Sequence, residues 1–271
     1  MKYNILILAK KYYFRTMQLF YRTYGKGQPF IILHGLYGMS DNWVTHAKLL
    51  GENYQVYIPD MRNHGQSEHS ELFDYNLMAE DIDEFIKMHN LENPIIMGHS
   101  MGGKVAMRFA LDNPNKVSKL IVVDMSMRSY KQNDFNYQLI YALLDIDFAK
   151  MKTRKEIEEK LDQTIQNQRI RMFLMKNIYW TEQKKLSWRF NLKAIFNNID
   201  AVFEGIHSNQ KFDKPCLIIR GSESDYVSDE DFMQINQNFP KAILKTIPKA
   251  GHWVQADEPK LFMDCLSDFL I

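Results

Sequence analysis

Residues 95–110 read IIMGHSMGGKVAMRFA. An apolar run, Ile95–Met97, enters Gly98-His99-Ser100-Met101-Gly102, and a helical pattern opens at Met101 and stops before Pro114. G-x-S-x-G alone is a modest signal. With glycine and serine each near 7% of residues, chance supplies roughly 0.1 matches in a chain of this length. Its position gives it force. A serine on a tight strand-to-helix turn has its hydroxyl pushed above the sheet. The flanking glycines let neighbouring backbone pass without a Cβ clash, and the helix N-terminus favours developing negative charge. The stretch predicts a nucleophile, Ser100, on such a corner. The plainer alternative is a glycine turn that merely caps a helix.

Other short apolar runs lie on either side. Met17–Tyr24 alternates and ends at Gly25–Gly27, a hairpin-like opening, and Phe30–Leu33 stops at His34-Gly35. Tyr54–Ile58 ends in Pro59-Asp60, and Lys119–Val123 ends at Asp124. Cys216–Arg220 and Ala242–Ile247 are two further strands, and Pro259–Leu270 closes the chain as a helix. Asn76–Asn90 has helical spacing, with Asn76 placed to cap it and Glu80 and Asp81 near its positive end. Strands alternating with helices predict an α/β fold: a mostly parallel sheet with helices on both faces. From about Met125 to Gln210 no clear strand is seen. KEIEEKLDQTIQNQ and NLKAIFNNIDAVFEGI are helical patterns there, which predicts an inserted helical cap. The division expected is core over 17–127, cap over 128–210, and core again over 211–271.

Gly251-His252-Trp253 follows a strand and precedes a helix, so His252 can return over Ser100 as a neutral general base. His99 is expected to pack beside the corner and His34 to be structural. His46, His64, His69, His89 and His207 show no metal-ligand spacing, so no metal and no other cofactor is expected. Trp180, Trp188, Met172 and Met175 could line an acyl pocket, although plain core is the commoner use of such residues at helical spacing.

Bulk properties exclude several classes. The 271 residues are 45% hydrophobic and 25% charged with a formal net charge of +1, which gives no footing for nucleic acid or an anionic membrane. Cys216 and Cys265 read as buried thiols and suit a reducing cytoplasm. No run approaches the ~20 apolar residues of a membrane span. Asn4–Ala9 is apolar, but it is short for a signal peptide and is followed by KKYYFR, so a start at Met17 is expected rather than secretion.

GHSMGGKVAM, PDMRNHGQS, GSESDYV, AGHWVQADEP and WRFNLKAI together resemble the YbfF-type branch of the α/β-hydrolase fold esterases, over nearly everything from Met17 on. His34-Gly35-Leu36-Tyr37-Gly38 resembles that family's HGxxG loop, which implies that the N–H groups of Leu36 and Met101 form an oxyanion hole. The loop Asp60–Ser67 is similar to the one after the family's fourth strand, where Asp60 and Arg62 would act as braces. The family's usual acid stands third after a glycine, here Ser224 in Gly221-Ser222-Glu223-Ser224-Asp225, so the acid must be elsewhere. Asp225 is one residue late. Asp124 ends the strand expected to lie about 4.8 Å from the nucleophile's own and is the better candidate. The resemblance also implies an acid after that strand. It further implies a serine hydrolase acting on a small carboxylic ester or an acyl-CoA thioester. An insertion of only about 85 residues predicts a bounded pocket, and with it short to medium acyl chains. A carbon–carbon bond hydrolase or a perhydrolase would use the same triad. A haloalkane dehalogenase would need aspartate at Ser100. A binding protein without catalysis would have been expected to lose Ser100 or His252.

Overall fold

The computed structural model describes residues 17–131 and 134–271. The expectations for residues 1–16 lie outside that range. A seven-stranded sheet runs in the order β1-β3-β2-β4-β5-β8-β9. The strands are β1 (Tyr21–Tyr24), β2 (Gln28–Leu33), β3 (Tyr54–Pro59), β4 (Ile95–His99), β5 (Lys119–Val123), β8 (Cys216–Gly221) and β9 (Ala242–Ile247). All neighbours are parallel except β1 against β3.

Period-two alternation divides the apolar strands between two cores. Ile31, Leu33, Ile96, Leu120 and Val122 point to one face, under α2 (Tyr75–Met88) and α3 (Met101–Asp112). Phe30, Ile32, Met97, Ile121 and Val123 point to the other, under α1 (Val44–Leu50) and the C-terminal helix (Pro259–Leu270). Strand β4 is buried from end to end, so its run carries no polar alternation.

Three local expectations are corrected. Gly25 and Gly27 do turn the chain at positive φ, but β1 pairs with β3, not with β2, so the opening is no hairpin. A Cβ on Gly25 would come within 2.1 Å of the Gly51 carbonyl oxygen. Helix α2 begins at Tyr75 and its cap is Asp74, whose carboxylate accepts the Leu77 N–H at 2.9 Å; Asn76 lies inside the helix. Asp81 does not serve the helix end. It is buried in a two-pronged pair with Arg62, at 2.6 and 2.7 Å.

Between β5 and β8 lie α4 (Asp134–Leu144), α5 (Arg154–Asp162), α6 (Gln168–Met175), α7 (Leu192–Asn197) and α8 (Ile199–Phe203). This interval also holds strands, which corrects the strand-free reading. Strands β6 (Ile178–Trp180) and β7 (Leu186–Trp188) pair antiparallel. Three residues each are too few to show alternation in sequence, and the turn rests on Lys184 at φ 57°. The first helical pattern divides where Asn167 caps α6, and the second breaks at Asn198. The two segments joining the insertion to the sheet bond to each other, Tyr130 N–H to Phe203 O at 2.8 Å and Ile206 N–H to Met127 O at 2.7 Å.

Candidate active site

Ser100 sits between β4 and α3 at φ 53°, ψ −122°, a region costing a non-glycine residue about 1–3 kcal/mol. The surroundings force the bend. A Cβ on Gly98 would lie 2.0 Å from the Gly102 carbonyl oxygen, and one on Gly102 would lie 2.3 Å from that of Leu33. The Ser100 N–H is in turn held by Val123 O at 3.1 Å, on the neighbouring strand.

His252 reaches this corner from the loop after β9. Its Nε2 lies 3.0 Å from Ser100 Oγ and its Nδ1 2.8 Å from Asp124 Oδ2. A carboxylate can only accept, so Nδ1 carries the proton and Nε2 presents its lone pair to the serine hydroxyl. Asp124 is fully buried at the end of β5, with φ 49°. Its Oδ1 accepts the Gly221 N–H at 3.1 Å, and its Oδ2 accepts the Ser224 hydroxyl at 2.5 Å beside the imidazole. The structure thus brings Ser100, His252 and Asp124 together. Asp225 faces solvent instead, and its backbone carbonyl accepts from Arg128 at 3.1 Å.

Two supports of His252 were not visible in sequence. The Tyr226 ring stacks on the imidazole with centroids 3.8 Å apart and planes at 19°. His99 donates from Nε2 to the His252 carbonyl at 2.8 Å. Burial, and then the neighbouring His252, bring His99 down to about 3, so it stays a neutral donor. The corner histidine does more than pack.

The loop His34–Gly38 closes the other side. His34 donates from Nδ1 to Gly35 O at 2.8 Å and accepts the Met61 N–H at 2.9 Å, and burial brings its pKa down to about 4. His64 accepts the Tyr37 N–H at 3.1 Å. Both are scaffolding. Asp60 likewise accepts the N–H groups of Ser40 and Gln66, bracing the loop from below. Leu36 and Met101 line the cavity above Ser100, and among the described residues neither backbone N–H has a hydrogen-bond partner.

The cavity is about 550 Å³. Leu139, Ile170, Met172, Phe173, Val202 and Phe203 come to it from the insertion, so the wall facing Ser100 is mostly apolar. Of the four residues considered for an acyl pocket, Met172 lines it. Trp188 and Met175 are buried in the core that continues from one face of the sheet into the insertion, and Trp180 is exposed on the β6–β7 hairpin. Among the described residues no helix is long and apolar enough to cross a membrane.

Residues 28–148 match the alpha/beta hydrolase fold family. The chain is 33% identical over 254 residues to the sn-1-specific diacylglycerol lipase ABHD11 of Danio rerio, covering 91% of this chain and 80% of that protein. It is 28% identical over 244 residues to Esterase YbfF of Escherichia coli, covering 89% and 92%. A solved marine microorganism esterase superposes with a TM-score of 0.91 at 45% identity, covering 93% of this chain and 99% of that one.

Proposed function

The chain belongs to the alpha/beta hydrolase fold family and is an ester hydrolase, and from that premise we propose that it works through an acyl-enzyme on Ser100. The observation that carries the reading is the continuous chain Ser100 Oγ–His252 Nε2 at 3.0 Å and His252 Nδ1–Asp124 Oδ2 at 2.8 Å.

Ser100 Oγ attacks the acyl carbonyl while His252 takes its proton. The oxygen of the tetrahedral intermediate gathers charge, and the N–H groups of Leu36 and Met101, with the α3 N-terminus behind them, stabilise it. Asp124 keeps the proton on Nδ1 and balances the imidazolium. His252 then protonates the departing alcohol, and a water activated by the same imidazole releases the acid. A thioester carbonyl can follow the same course with a thiol leaving.

The cavity volume and its apolar wall favour short to medium acyl chains. The relative named as an sn-1-specific diacylglycerol lipase sets the competing expectation of diacylglycerol substrates. The decisive experiment is labelling with a fluorophosphonate probe followed by mass spectrometry. A single adduct on Ser100, lost in Ser100→Ala, is expected. Labelling that persists in the alanine variant contradicts the assignment.

A further inference from the structure

His252 stands on an irregular loop, yet a general base must hold its place to a fraction of an ångström. The loop is tied first by its own chain. Asp257 Oδ2 accepts the Gly251 N–H at 2.9 Å, and the Asp257 N–H donates to Trp253 O at 2.8 Å. The other Asp257 oxygen is ion-paired with Arg169, on helix α6 of the insertion. The Arg169 guanidinium also lies over the Trp253 ring, 5.1 Å from its centroid. One turn further along α6, Phe173 packs on the same indole at 5.5 Å. One face of α6 therefore grips both neighbours of His252, Gly251 through Asp257 and Trp253 directly.

The far end of α6 is anchored to the opposite side of the site. Asn177, just beyond the helix and 1% exposed, donates to Tyr37 O at 2.8 Å, in the loop that carries Leu36. Helix α6 is a strut between the histidine loop and the oxyanion-side loop.

We propose that Arg169 is a positioning residue for His252: through Asp257 and Trp253 it couples the seating of the insertion to the alignment of the general base. This rests on the acyl-enzyme reading above. Arg169 lies two residues along α6 from Arg171, which serves as its control. Arg171 bonds Ile165 O, Gln166 O and Asp162, all within the insertion.

The test measures Arg169→Met, Arg169→Lys and Arg171→Met with two reactions. One is hydrolysis of p-nitrophenyl acetate and p-nitrophenyl octanoate. The other is inactivation by phenylmethylsulfonyl fluoride, a small reagent whose attack by Ser100 also needs His252 as base. Arg169→Met is expected to lower kcat on both esters about tenfold or more with KM little changed, and to slow inactivation by a similar factor. Arg169→Lys, which restores the ion pair, should recover part of the loss, and Arg171→Met should match the wild type. A raised KM for octanoate alone, with unchanged inactivation, makes Arg169 a substrate contact and overturns the proposal. An equal loss in Arg171→Met makes the effect general loosening of the insertion and also overturns it. If the reagent fails to modify Ser100 in the wild type, the acyl-enzyme reading falls and this inference with it. Modification of Ser100 with no effect of Arg169→Met refutes this inference alone.

Discussion

Replacing Asp124 by asparagine probes the proposed mechanism most sharply, because three donors converge on that one side chain. Gly221 N–H donates to Oδ1, and the Ser224 hydroxyl and His252 Nδ1–H donate to Oδ2. An amide has one oxygen and one NH₂. If its oxygen stays toward His252, the NH₂ meets the Gly221 N–H, and a buried donor left unpaired costs about 1–3 kcal/mol. If the amide flips, the NH₂ faces Nδ1, the imidazole moves its proton to Nε2, and it can no longer accept one from Ser100. In both orientations the imidazolium formed in the transition state loses its carboxylate. The corresponding change in a serine protease costs about 10⁴ in kcat. With Ser224 still oriented beside the ring, a loss of roughly 10³ or more is expected, equivalent to about 4 kcal/mol, with KM little changed. Asparagine tolerates the positive φ at this position, so the backbone itself is not strained by the change. The assay is steady-state hydrolysis of p-nitrophenyl acetate, after circular dichroism and thermal unfolding have shown the variant folded. Asp225→Asn is the control and should cost less than about tenfold, as befits an exposed side chain. A folded Asp124→Asn within tenfold of wild type, beside a thousandfold loss in Asp225→Asn, would falsify the assignment of the acid.

Three other outcomes follow from the geometry. Across a series of p-nitrophenyl esters, kcat/KM should peak below roughly eight to ten acyl carbons; a steady rise into long chains would contradict this. Gly102→Ala brings a Cβ to 2.3 Å from the Leu33 carbonyl oxygen, so chemical denaturation should show a loss above about 2 kcal/mol, and a neutral result would mean that α3 shifts freely. Lys104 is fully buried against the Tyr75 and Tyr130 rings, and burial, then Arg128, bring its pKa from 10.5 to about 7. The unfolded chain then holds more protons than the folded one between about pH 7 and 10.5, so this lysine's contribution to stability rises through that window; the stability of wild type relative to Lys104→Met should climb with it, and a flat difference refutes the shift.

The parts legible in sequence were those written as local patterns. Strand β4 was an unbroken apolar run, and Gly98, Ser100 and Gly102 marked a corner where backbone crowds too closely for side chains at 98 and 102. Asp124 and His252 stand out because the first directly follows β5 and the second lies on the short loop after β9, both recognisable strands. Other features depend on pairing partners far along the chain. Nothing within Tyr21–Tyr24 says that β3 lies between it and β2. The β6–β7 hairpin is too short for its alternation to register. Asn76 is the same kind of capping residue as Asp74 and lies two places nearer the apolar pattern; the extended backbone of Asp74 distinguishes the two. The stacking of Tyr226, the His99 bond to His252 O and the Arg169–Asp257 pair join segments 26, 153 and 88 residues apart, and no spacing rule connects those.

Ser224 ties the sequence anomaly to the geometry. A serine where the family usually has its acid looks at first like a missing part. In the folded chain its hydroxyl donates to Asp124 Oδ2, the same oxygen that holds His252 Nδ1. Two donors on one oxygen and a third on the other satisfy the hydrogen-bonding capacity of a carboxylate that has no exposure to water. A second carboxylate at 224 would face the first across a hydrogen-bond distance, where like charges cannot both remain ionised. A small hydroxyl is compatible with the buried acid at 124, and it also accepts the N–H of Tyr226, the residue stacked on the imidazole. Position 224 thus joins the carboxylate and the ring that flanks the base, while Asp225, one residue on, is turned outward by the same loop.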